Sequence, residues 1–223
     1  MFNVCYSCGE YHADKTVVLL PETPGWAHAV CPNCGHPHRF RHLPLLIVAG
    51  ASGTGKSALL QKLVTHVDEA VLLELDILWR PEFNRPDDAY DGYFDTWLRL
   101  IKNIAQSGRP VVVFGAGIGV PSNLEHQVER RYIADSRTLA LTCDDETLGA
   151  RLRARPDWRG SGSDTFIESQ LEFNRWFVEV GPTLSPPIEL YDTTNQSIDA
   201  TANHVAAWIR RTIAACSMNP SAL

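Results

Sequence analysis

The eight residues from 50 to 57, Gly-Ala-Ser-Gly-Thr-Gly-Lys-Ser, constrain the fold of this chain more than any other stretch. They fit the pattern G-x-x-x-x-G-K-[ST], in which a glycine-rich loop joins a strand to a helix and binds phosphate. The apolar residues 45–49 before the loop predict a short buried strand, and Leu59, Leu63 and Val64 after it lie at helical spacing. The residues on both sides of the loop therefore match the strand and the helix that this motif requires. A glycine-rich turn that matches by chance is the alternative interpretation.

Such a loop binds phosphate mainly through its backbone. The glycines allow N–H groups to converge on phosphate oxygens, and the helix N-terminus adds partial positive charge. We expect Lys56 to reach the β- and γ-phosphates and the Ser57 hydroxyl to coordinate Mg²⁺. The predicted phosphate-binding residues are Gly50, Ala51, Ser52, Gly53, Thr54, Gly55, Lys56 and Ser57.

Residues 1–42 differ in character from the rest of the chain because they contain two C-x-x-C pairs. Cys5 and Cys8 form the first pair and Cys31 and Cys34 the second, with 22 residues between them. This spacing predicts a zinc site, since four thiolates complete the closed tetrahedral shell of a structural zinc ion. A module of about 40 residues has a small core, so the metal would supply much of its stability. Redox-active or free thiols are the alternative. On these four cysteines alone, the segment resembles the zinc-ribbon family.

Histidines and a basic stretch accompany the cysteines. His12, His28, His36 and His38 are alternative ligands, but with four thiolates available we expect them to be exposed. Residues 36–42, His-Pro-His-Arg-Phe-Arg-His, are locally basic and include an aromatic ring. We predict a solvated linker here, and contact with RNA or a phosphate is the alternative.

A second predicted strand, residues 70–76, ends in Asp76. Ligands of an open α/β sheet bind outside the C-terminal ends of its strands, so we expect Asp76 to face the bound phosphates. Its carboxylate is suited to accepting the proton of a substrate hydroxyl or to holding a water on Mg²⁺. A capping or turn aspartate is the alternative. Arg80 and Arg85 follow, either as ligands of an anionic substrate or as surface residues.

The third predicted strand, residues 109–114, is followed by Gly115, Gly117 and Gly119. We interpret these glycines as positions of close backbone approach beside the substrate. Val120 occupies the last glycine position of G-x-G-x-x-G, which argues against a dinucleotide-binding loop. No aspartate ends this strand, so the usual second magnesium ligand is missing there. More of the metal binding therefore falls to Ser57, Asp76 and water.

Three arginines, Arg151, Arg155 and Arg159, lie beside or within a polar, glycine-containing loop at residues 156–163. This arrangement suits a mobile lid over about residues 151–165. Closing such a lid would bring guanidinium groups onto the developing charge of a transferred phosphoryl group and would expel water. A solvated arginine face is the alternative.

Apolar spacing and capping residues predict the remaining elements. We expect helices over residues 88–107 and 121–134, after Asp144, from about Asp164 with Thr165 and Glu168 as a capping box, and after Ser197. We expect strands over residues 138–143 and 188–192.

Composition limits the class of protein. The chain has 223 residues, of which 44% are hydrophobic and 21% charged, as in a globular protein with one α/β domain and a small appendage. Its net charge of −6 argues against nucleic-acid binding through bulk charge, although a local basic patch in the N-terminal module stays possible. No apolar run reaches the length of a membrane span and we see no signal peptide, so we expect a cytoplasmic protein. Six cysteines in that compartment favour metal or free thiols over disulfides.

The order of these features is similar to that of the small P-loop kinases, which include nucleoside and nucleotide kinases, gluconate and shikimate kinases and antibiotic phosphotransferases. The resemblance covers about residues 43–216 and rests most firmly on residues 50–57. Asp76 matches the substrate-side carboxylate of that family, and Arg151, Arg155 and Arg159 match its lid arginines as a group. It implies an α/β fold with a five-stranded parallel sheet flanked by helices in residues 43–223, behind the zinc-ribbon-like module of residues 1–42.

The same resemblance implies ATP and Mg²⁺ as cofactors, catalytic roles for Lys56, Asp76 and the three arginines, and in-line transfer to a small-molecule acceptor. We expect a nucleoside or nucleotide as that acceptor. A P-loop ATPase or GTPase switch is the first alternative, which the missing strand-end aspartate and the absence of N-K-x-D argue against. An RNA-directed kinase or RNA-binding factor that uses the zinc ribbon is the second, and the acidic net charge argues against it.

Overall fold

The computed structural model describes residues 3–218, and within that range it contains two β-sheets and five α-helices. The strands are β1 (Thr16–Leu19), β2 (Trp26–Val30), β3 (Pro37–Arg41), β4 (Leu45–Ala49), β5 (Val71–Glu74), β6 (Val111–Phe114), β7 (Ser136–Thr142) and β8 (Glu189–Asp192). The helices are α1 (Lys56–Leu63), α2 (Asp91–Ala105), α3 (Asp145–Arg153), α4 (Asp164–Glu179) and α5 (Ile198–Met218).

The larger sheet has the strand order β5-β6-β4-β7-β8, and every neighbouring pair is parallel. β4 lies at its centre, where Leu45 pairs with Val111 of β6 and with Ser136 of β7. All residues of β4 are buried, as expected for a strand whose sheet is covered on both faces. The predicted α/β fold with a five-stranded parallel sheet is confirmed.

Helices cover both faces of this sheet. Trp97 of α2 and Phe177 of α4 belong to the core on one face, and Leu59 of α1 and Trp208 of α5 belong to the core on the other. Both tryptophans are fully buried, and a large apolar side chain contributes on the order of 2–3 kcal/mol when it is removed from water. The aromatic side chains Tyr93, Phe94 and Trp97 of α2 therefore belong to the hydrophobic core. No helix within residues 3–218 is both long and apolar enough to cross a bilayer.

The α-helix expected over residues 121–134 is absent, and that prediction is wrong. The segment forms two short 3-10 helices, Pro121–Asn123 and Val128–Tyr132. Between them and α2 lies a buried ion pair, in which the Oε2 of Glu129 is 2.5 Å from the Nζ of Lys102. Tertiary contacts of this kind override the local helical pattern, because propensity is only a weak determinant of structure.

Two helix N-termini test the capping predictions. Asp144 caps α3 as expected, since its carboxylate accepts the N–H of Thr147 at 2.6 Å. The cap of α4 is Ser163, whose hydroxyl accepts the N–H of Phe166 at 3.3 Å. The helix therefore begins at Asp164 as predicted, but its cap is Ser163 and not Thr165 of the expected capping box.

The smaller sheet is antiparallel, in the order β1-β2-β3. The stretch 36–42 is not the solvated linker that we predicted, because residues 37–41 are strand β3. Phe40 and His38 point to the inner face and are 1% and 3% exposed, and Phe40 packs with Tyr132. The expectation that His38 is exposed is therefore also wrong.

Polar contacts join the N-terminal segment, residues 3–41, to α2 and to the turn before β7. The Nζ of Lys102 donates to the side-chain oxygen of Asn3 at 3.0 Å, and the backbone N–H of Lys15 donates to the hydroxyl of Tyr132 at 2.8 Å. Burial of Lys102 makes its contacts costly to lose, since a buried charge needs its partners. The N-terminal segment is therefore joined to the larger domain by hydrogen bonds that involve the buried side chains of Lys102 and Tyr132.

Candidate active site

The glycine-rich loop connects β4 to α1, as the sequence predicted. Gly50, Gly53 and Gly55 all have positive φ angles, which side-chain-bearing residues rarely adopt. A Cβ atom at Gly50 would also lie 2.4 Å from the carbonyl oxygen of Leu141. The loop therefore needs glycine at these positions, and its backbone N–H groups open toward the end of the sheet where ligands bind.

Lys56 folds back over this loop. Its Nζ donates to the carbonyl oxygens of Gly50 at 2.7 Å and Ala51 at 2.9 Å. Loss of hydration at its half-buried position, followed by the nearby charge of Arg155, lowers the pKa of Lys56 to about 8, although Asp76 acts in the opposite direction. The ammonium group is thus held at the phosphate site in an environment that favours an anionic partner.

Two carboxylates lie at the end of β5, of which sequence reasoning found only one. Asp76 lies in the 3-10 helix Leu75–Leu78, two residues beyond the end of the strand. Glu74, the last residue of β5, accepts a hydrogen bond from the hydroxyl of Ser57. The spacing Glu-x-Asp at a strand end was the available signal, because both side chains then sit at the same edge of the sheet.

The predicted catalytic residues come together in one cavity of about 350 Å³. Lys56, Asp76, Arg151, Arg155 and Arg159 all line it, together with Ser52, Gly53, Gly55, Ser57, Glu74 and the start of the loop after β6. The lining contains four cationic side chains and two carboxylates, so its net charge is positive. An excess of positive charge around a glycine-rich loop suits a polyphosphate accompanied by a divalent cation.

Arg151 is anchored to the turn after β8. Its guanidinium donates to the hydroxyl of Thr193 at 3.0 Å and to the carbonyl oxygen of the same residue at 2.9 Å. Arg155 and Arg159 lie further along the chain, on the loop between α3 and α4, and have no ion-pair partner among residues 3–218. Arg151 is therefore held in place by the protein, whereas the guanidinium groups of Arg155 and Arg159 are available to an anionic ligand.

Helix α4 contacts the glycine-rich loop through Gln170. Its side-chain oxygen accepts the backbone N–H of Ser52 at 2.8 Å. Sequence reasoning missed this residue, because a glutamine on a helix surface carries no motif that distinguishes it. The contact links the loop to the helix that follows the predicted lid.

A cluster of aromatic side chains follows Asp76 along the chain, outside the set of residues that line the cavity. Trp79 and Phe83 pack against the ring of Tyr93, with ring centroids 5.2 and 5.3 Å apart. The centroid of Trp79 is also 6.1 Å from that of Tyr90. Burial raises the pKa of Tyr93 to about 12, and the carboxylate of Asp76 adds to that rise. Trp79 remains 45% exposed. An exposed ring beside a carboxylate is thus available to a second ligand.

Two of the glycines after β6 lie where neighbouring side chains leave no room for a Cβ atom, whereas their expected position beside the substrate stays a prediction. A Cβ atom at Gly115 would lie 2.4 Å from the side chain of Leu75, and one at Gly119 would lie 2.3 Å from that of Ala49. Gly115 lines the cavity, so the loop after β6 forms its floor without side-chain bulk.

A second constellation lies in the N-terminal segment. The Sγ atoms of Cys5, Cys8, Cys31 and Cys34 all lie within 4.8 Å of one another. Cys5 and Cys34 are separated by 3.6 Å and Cys8 and Cys31 by 3.8 Å, close to the edge of roughly 3.8 Å that a tetrahedron with Zn–S bonds of about 2.3 Å requires.

Each cysteine pair forms a turn that ends at a glycine. Gly9 donates its N–H to the carbonyl oxygen of Cys5, and Gly35 donates to that of Cys31, both at 2.9 Å. Both glycines have positive φ angles. The two turns present their thiols to a common point, and the donor set fits zinc; no histidine belongs to this cluster within the described residues.

The comparisons with known proteins agree with this geometry. A family model described as an AAA domain matches residues 45–180. A search of curated proteins found no match. Among solved structures, the chain is similar to a gluconokinase from Sinorhizobium meliloti 1021, with 19% identity over 78% of this chain and 96% of that chain and a TM-score of 0.53.

Two further structures give the same result. A sugar kinase from Janibacter sp. HTCC2649 is 16% identical over 79% of this chain and 99% of that chain, with a TM-score of 0.55. The thymidylate kinase from Candida albicans is 15% identical over 77% of this chain and 92% of that chain, with a TM-score of 0.50. Identities this low establish the fold alone. Since the family model spans more than half of the chain, the protein belongs to the AAA-domain family of P-loop proteins and has the fold of the small P-loop kinases.

Proposed function

We propose that this protein is an ATP-dependent kinase that transfers a phosphoryl group to a hydroxyl or phosphate of a small acceptor, with a nucleoside or nucleotide as the expected acceptor. The observation that carries the proposal is the single cavity lined by the glycine-rich loop, two carboxylates and three arginines. This combination supplies phosphate binding, metal ligands and charge stabilisation, which are the needs of phosphoryl transfer.

The donor side is assigned to the glycine-rich loop and its neighbours. Bound ATP·Mg²⁺ supplies the γ-phosphoryl group. Lys56 and the N–H groups of residues 50–57 bind phosphate oxygens, and Lys56 exchanges its two carbonyl partners for them. The hydroxyl of Ser57 and the carboxylate of Glu74 are the oxygen donors that Mg²⁺ prefers, and they already lie in contact.

Asp76 is assigned to the acceptor side. Its carboxylate takes the proton of the acceptor hydroxyl as that oxygen bonds to the γ-phosphorus. The bond from the γ-phosphorus to the bridging oxygen breaks in the same step, and ADP leaves with the electron pair. If the acceptor group is already an ionised phosphate, no proton has to move, and Asp76 then only orients the acceptor.

The arginines stabilise the charge that spreads over the transferred group. Arg151 is pre-positioned by Thr193, whereas Arg155 and Arg159 lie on the loop between α3 and α4 and arrive with closure of the lid. Closure also excludes water, which would otherwise compete with the acceptor.

The expected acceptor class rests on the aromatic side chains near Asp76. Trp79 is partly exposed and packs edge-on against Tyr93, and the exposed part of its ring can contact a planar ligand. Aromatic rings stack on nucleobases, and this favours a nucleoside or nucleotide over a purely aliphatic acceptor. Arg80 and Arg85 are exposed on the same loop and suit an acceptor that carries phosphate.

We also propose that the four cysteines bind a structural zinc ion. A complete thiolate shell leaves no open position for a substrate, so the metal stabilises the N-terminal segment and takes no part in transfer. The domain division that follows is a zinc-ribbon-like module over residues 1–42 and a kinase domain over residues 43–223.

ADP release by the purified protein tests the proposal. The assay uses ATP and Mg²⁺ with pooled nucleosides, nucleotides, sugar acids and aminoglycosides, and Lys56→Ala serves as the inactive control. We expect ADP release that depends on one pool and is lost in the variant. Release that ignores every small acceptor but persists with ATP alone would favour an ATPase switch instead.

A further inference from the structure

The outer face of the smaller sheet carries a basic and aromatic surface that phosphoryl transfer does not use. Side chains alternate along β2 and β3, so that Ala27, Ala29 and Phe40 face the domain while their neighbours face outward. We call the outward set the platform; its members are Trp26 and His28 of β2 and Arg39 and Arg41 of β3. Trp26 lies directly across from Arg41, and His28 lies directly across from Arg39.

Both arginines of the platform stack on the same ring. The guanidinium carbon of Arg41 is 3.9 Å from the centroid of Trp26, and that of Arg39 is 4.3 Å from it. Neither arginine forms an ion pair with a carboxylate of residues 3–218. Two uncompensated cations on one tryptophan stand out in a chain whose net charge is −6.

The platform continues into a cavity with a volume of about 860 Å³. Trp26 and Arg41 line this cavity together with His42, the residues just before β4 and the start of β7. It therefore lies at the N-terminal edge of the parallel strands, whereas the glycine-rich loop lies at their C-terminal edge. The two cavities share no lining residue, so a ligand here would leave the phosphate site free.

The remaining charges of this cavity are already paired. Arg137 bonds to Asp135, and Arg211 bonds to Glu189 at 3.0 Å. Arg41 is thus the cation of the cavity that has no carboxylate partner among residues 3–218, and the rest of the lining is largely apolar, including Leu20, Pro21, Leu43 and Pro44. A cavity of this volume with a largely apolar lining can hold several flat rings, and Arg41 suits a negative charge beside them.

We propose that the platform and this cavity bind a single-stranded polynucleotide. The guanidinium planes of Arg39 and Arg41, which the ring of Trp26 holds in place, are suited to stacking on unpaired bases and to neutralising phosphates. Duplex ends do not offer free base faces, so a single strand is the form that matches. This function is additional to phosphoryl transfer and does not depend on it.

Other anionic partners match this surface less well. An acidic peptide or an anionic membrane would need charge, but neither would need a guanidinium-stacked tryptophan beside a largely apolar cavity. Both arginines are also fixed in orientation by the ring below them, which favours planar stacking over diffuse charge attraction. The choice between these partners is therefore open to a direct test.

The test measures binding of a labelled single-stranded oligoribonucleotide to the full chain by fluorescence anisotropy, in saturating ATP·Mg²⁺ so that the phosphate site is filled. We expect the double variant Arg39→Ala/Arg41→Ala to weaken binding at least tenfold. The slope of log K against log salt should fall by about 1.4, since each phosphate contact of a single strand contributes about 0.7. Trp26→Leu should weaken binding roughly fivefold or more through lost stacking.

The matched control removes two arginines elsewhere. Arg175→Ala/Arg210→Ala deletes the same charge from exposed ion pairs on α4 and α5 and should leave binding within about twofold. An oligodeoxyribonucleotide of the same sequence distinguishes RNA from DNA as the natural strand. Lys56→Ala should bind the strand as well as the wild type.

Three results would overturn the proposal. The first is the absence of saturable binding at low salt in the wild type. The second is an equal loss of binding in the control variant, which would point to bulk charge. The third is binding to heparin or to anionic vesicles that matches that of the oligonucleotide and is insensitive to Trp26→Leu, which would assign the face to another polyanion.

Discussion

At the residue scale, Lys56 shows how the phosphate site is arranged to receive an anion. Its ammonium group bonds to two carbonyl oxygens of its own loop, which cannot neutralise it. Loss of hydration, and then the charge of Arg155, lower the pKa of Lys56 to about 8. The charged form is therefore stabilised by an anionic ligand, and binding of a polyphosphate is linked to retention of the proton.

This linkage predicts a pH dependence of ATP affinity. Because ATP binds the protonated form, affinity is complete below the pKa of Lys56 in the free protein and falls as pH rises through it. We expect the Kd for ATP to increase about tenfold between pH 7 and pH 9, measured by isothermal titration calorimetry. Lys56→Arg keeps its charge over this range, so its weaker binding should not change with pH. An equal rise in both proteins would contradict the assignment.

Asp76→Asn tests the proton acceptor. The amide keeps the shape of the side chain but cannot take a proton, so we expect kcat with a hydroxyl acceptor to fall by roughly 10²- to 10⁴-fold. The Kd for ATP should change little, because Asp76 is assigned to the acceptor. Steady-state kinetics and calorimetry separate the two effects. Unchanged turnover would remove Asp76 from the chemistry.

Glu74→Gln provides a contrast on the same strand end. Glu74 bonds to Ser57 and is assigned to the metal, so its loss should raise the Mg²⁺ concentration needed for half-maximal activity by roughly 10- to 100-fold. Activity at saturating Mg²⁺ should recover in large part. A magnesium titration of both variants distinguishes the two carboxylates, and an unchanged midpoint in Glu74→Gln would exclude the metal role.

At the scale of elements, α3, the loop after it and α4 form a unit around the arginines. Asp144 caps the N-terminus of α3 and Ser163 caps that of α4, so the loop between the two helices ends at a fixed point. Gln170 of α4 then contacts Ser52 in the glycine-rich loop. A ligand that moves either loop therefore acts on a helix that both share.

The arginines of this unit can be compared directly. Arg155 lines the phosphate cavity, whereas Arg153 points away and lies 3.6 Å from Asp164. We expect Arg155→Ala to lower kcat/KM by about 10²- to 10³-fold through lost charge stabilisation. Arg153→Ala removes the same charge from the surface and should change kcat/KM by less than about threefold. Similar losses in both would indicate a general electrostatic effect and contradict a lid role for Arg155.

The elements that sequence patterns predicted are those whose stability is local or strongly periodic. β4 is a continuous apolar run, and α2 carries its aromatic residues at helical spacing, so both were predictable. The 3-10 segments at 121–132 were not, because the ion pair of Glu129 with Lys102 joins positions that the sequence does not show to be neighbours. Glu74 was overlooked for a related reason, since its role depends on the placement of β5 beside the P-loop.

At the scale of the whole molecule, the N-terminal segment is bound to the domain by a polar interface. Asn3 bonds to Lys102 of α2, and the backbone N–H of Lys15, a fully buried residue of the segment, donates to the hydroxyl of Tyr132. The four cysteines lie within this segment, whose core is small. The metal is therefore expected to maintain both the segment and its contact with α2, a coupling that the cysteine spacing alone did not reveal.

Cys31→Ser tests this coupling. We expect loss of the bound zinc, measured by elemental analysis, and a Tm lower by roughly 5–10 °C, which corresponds to about 2–3 kcal/mol for a chain of this size. ATP should still bind, because the phosphate site lies at the far edge of the sheet. Cys216→Ser, at the end of α5, should retain the zinc. Wild-type protein without stoichiometric metal would refute the zinc assignment.

The most direct test of the central claim is the destination of the γ-phosphoryl group. ATP labelled in that group is incubated with the protein, Mg²⁺ and the acceptor pool that stimulates ADP release, and the products are separated. A kinase that uses Asp76 and the lid arginines as proposed places the label in an organic phosphate, in step with ADP. Label found only as inorganic phosphate, at the same rate with and without acceptors, would contradict the account and identify an ATPase.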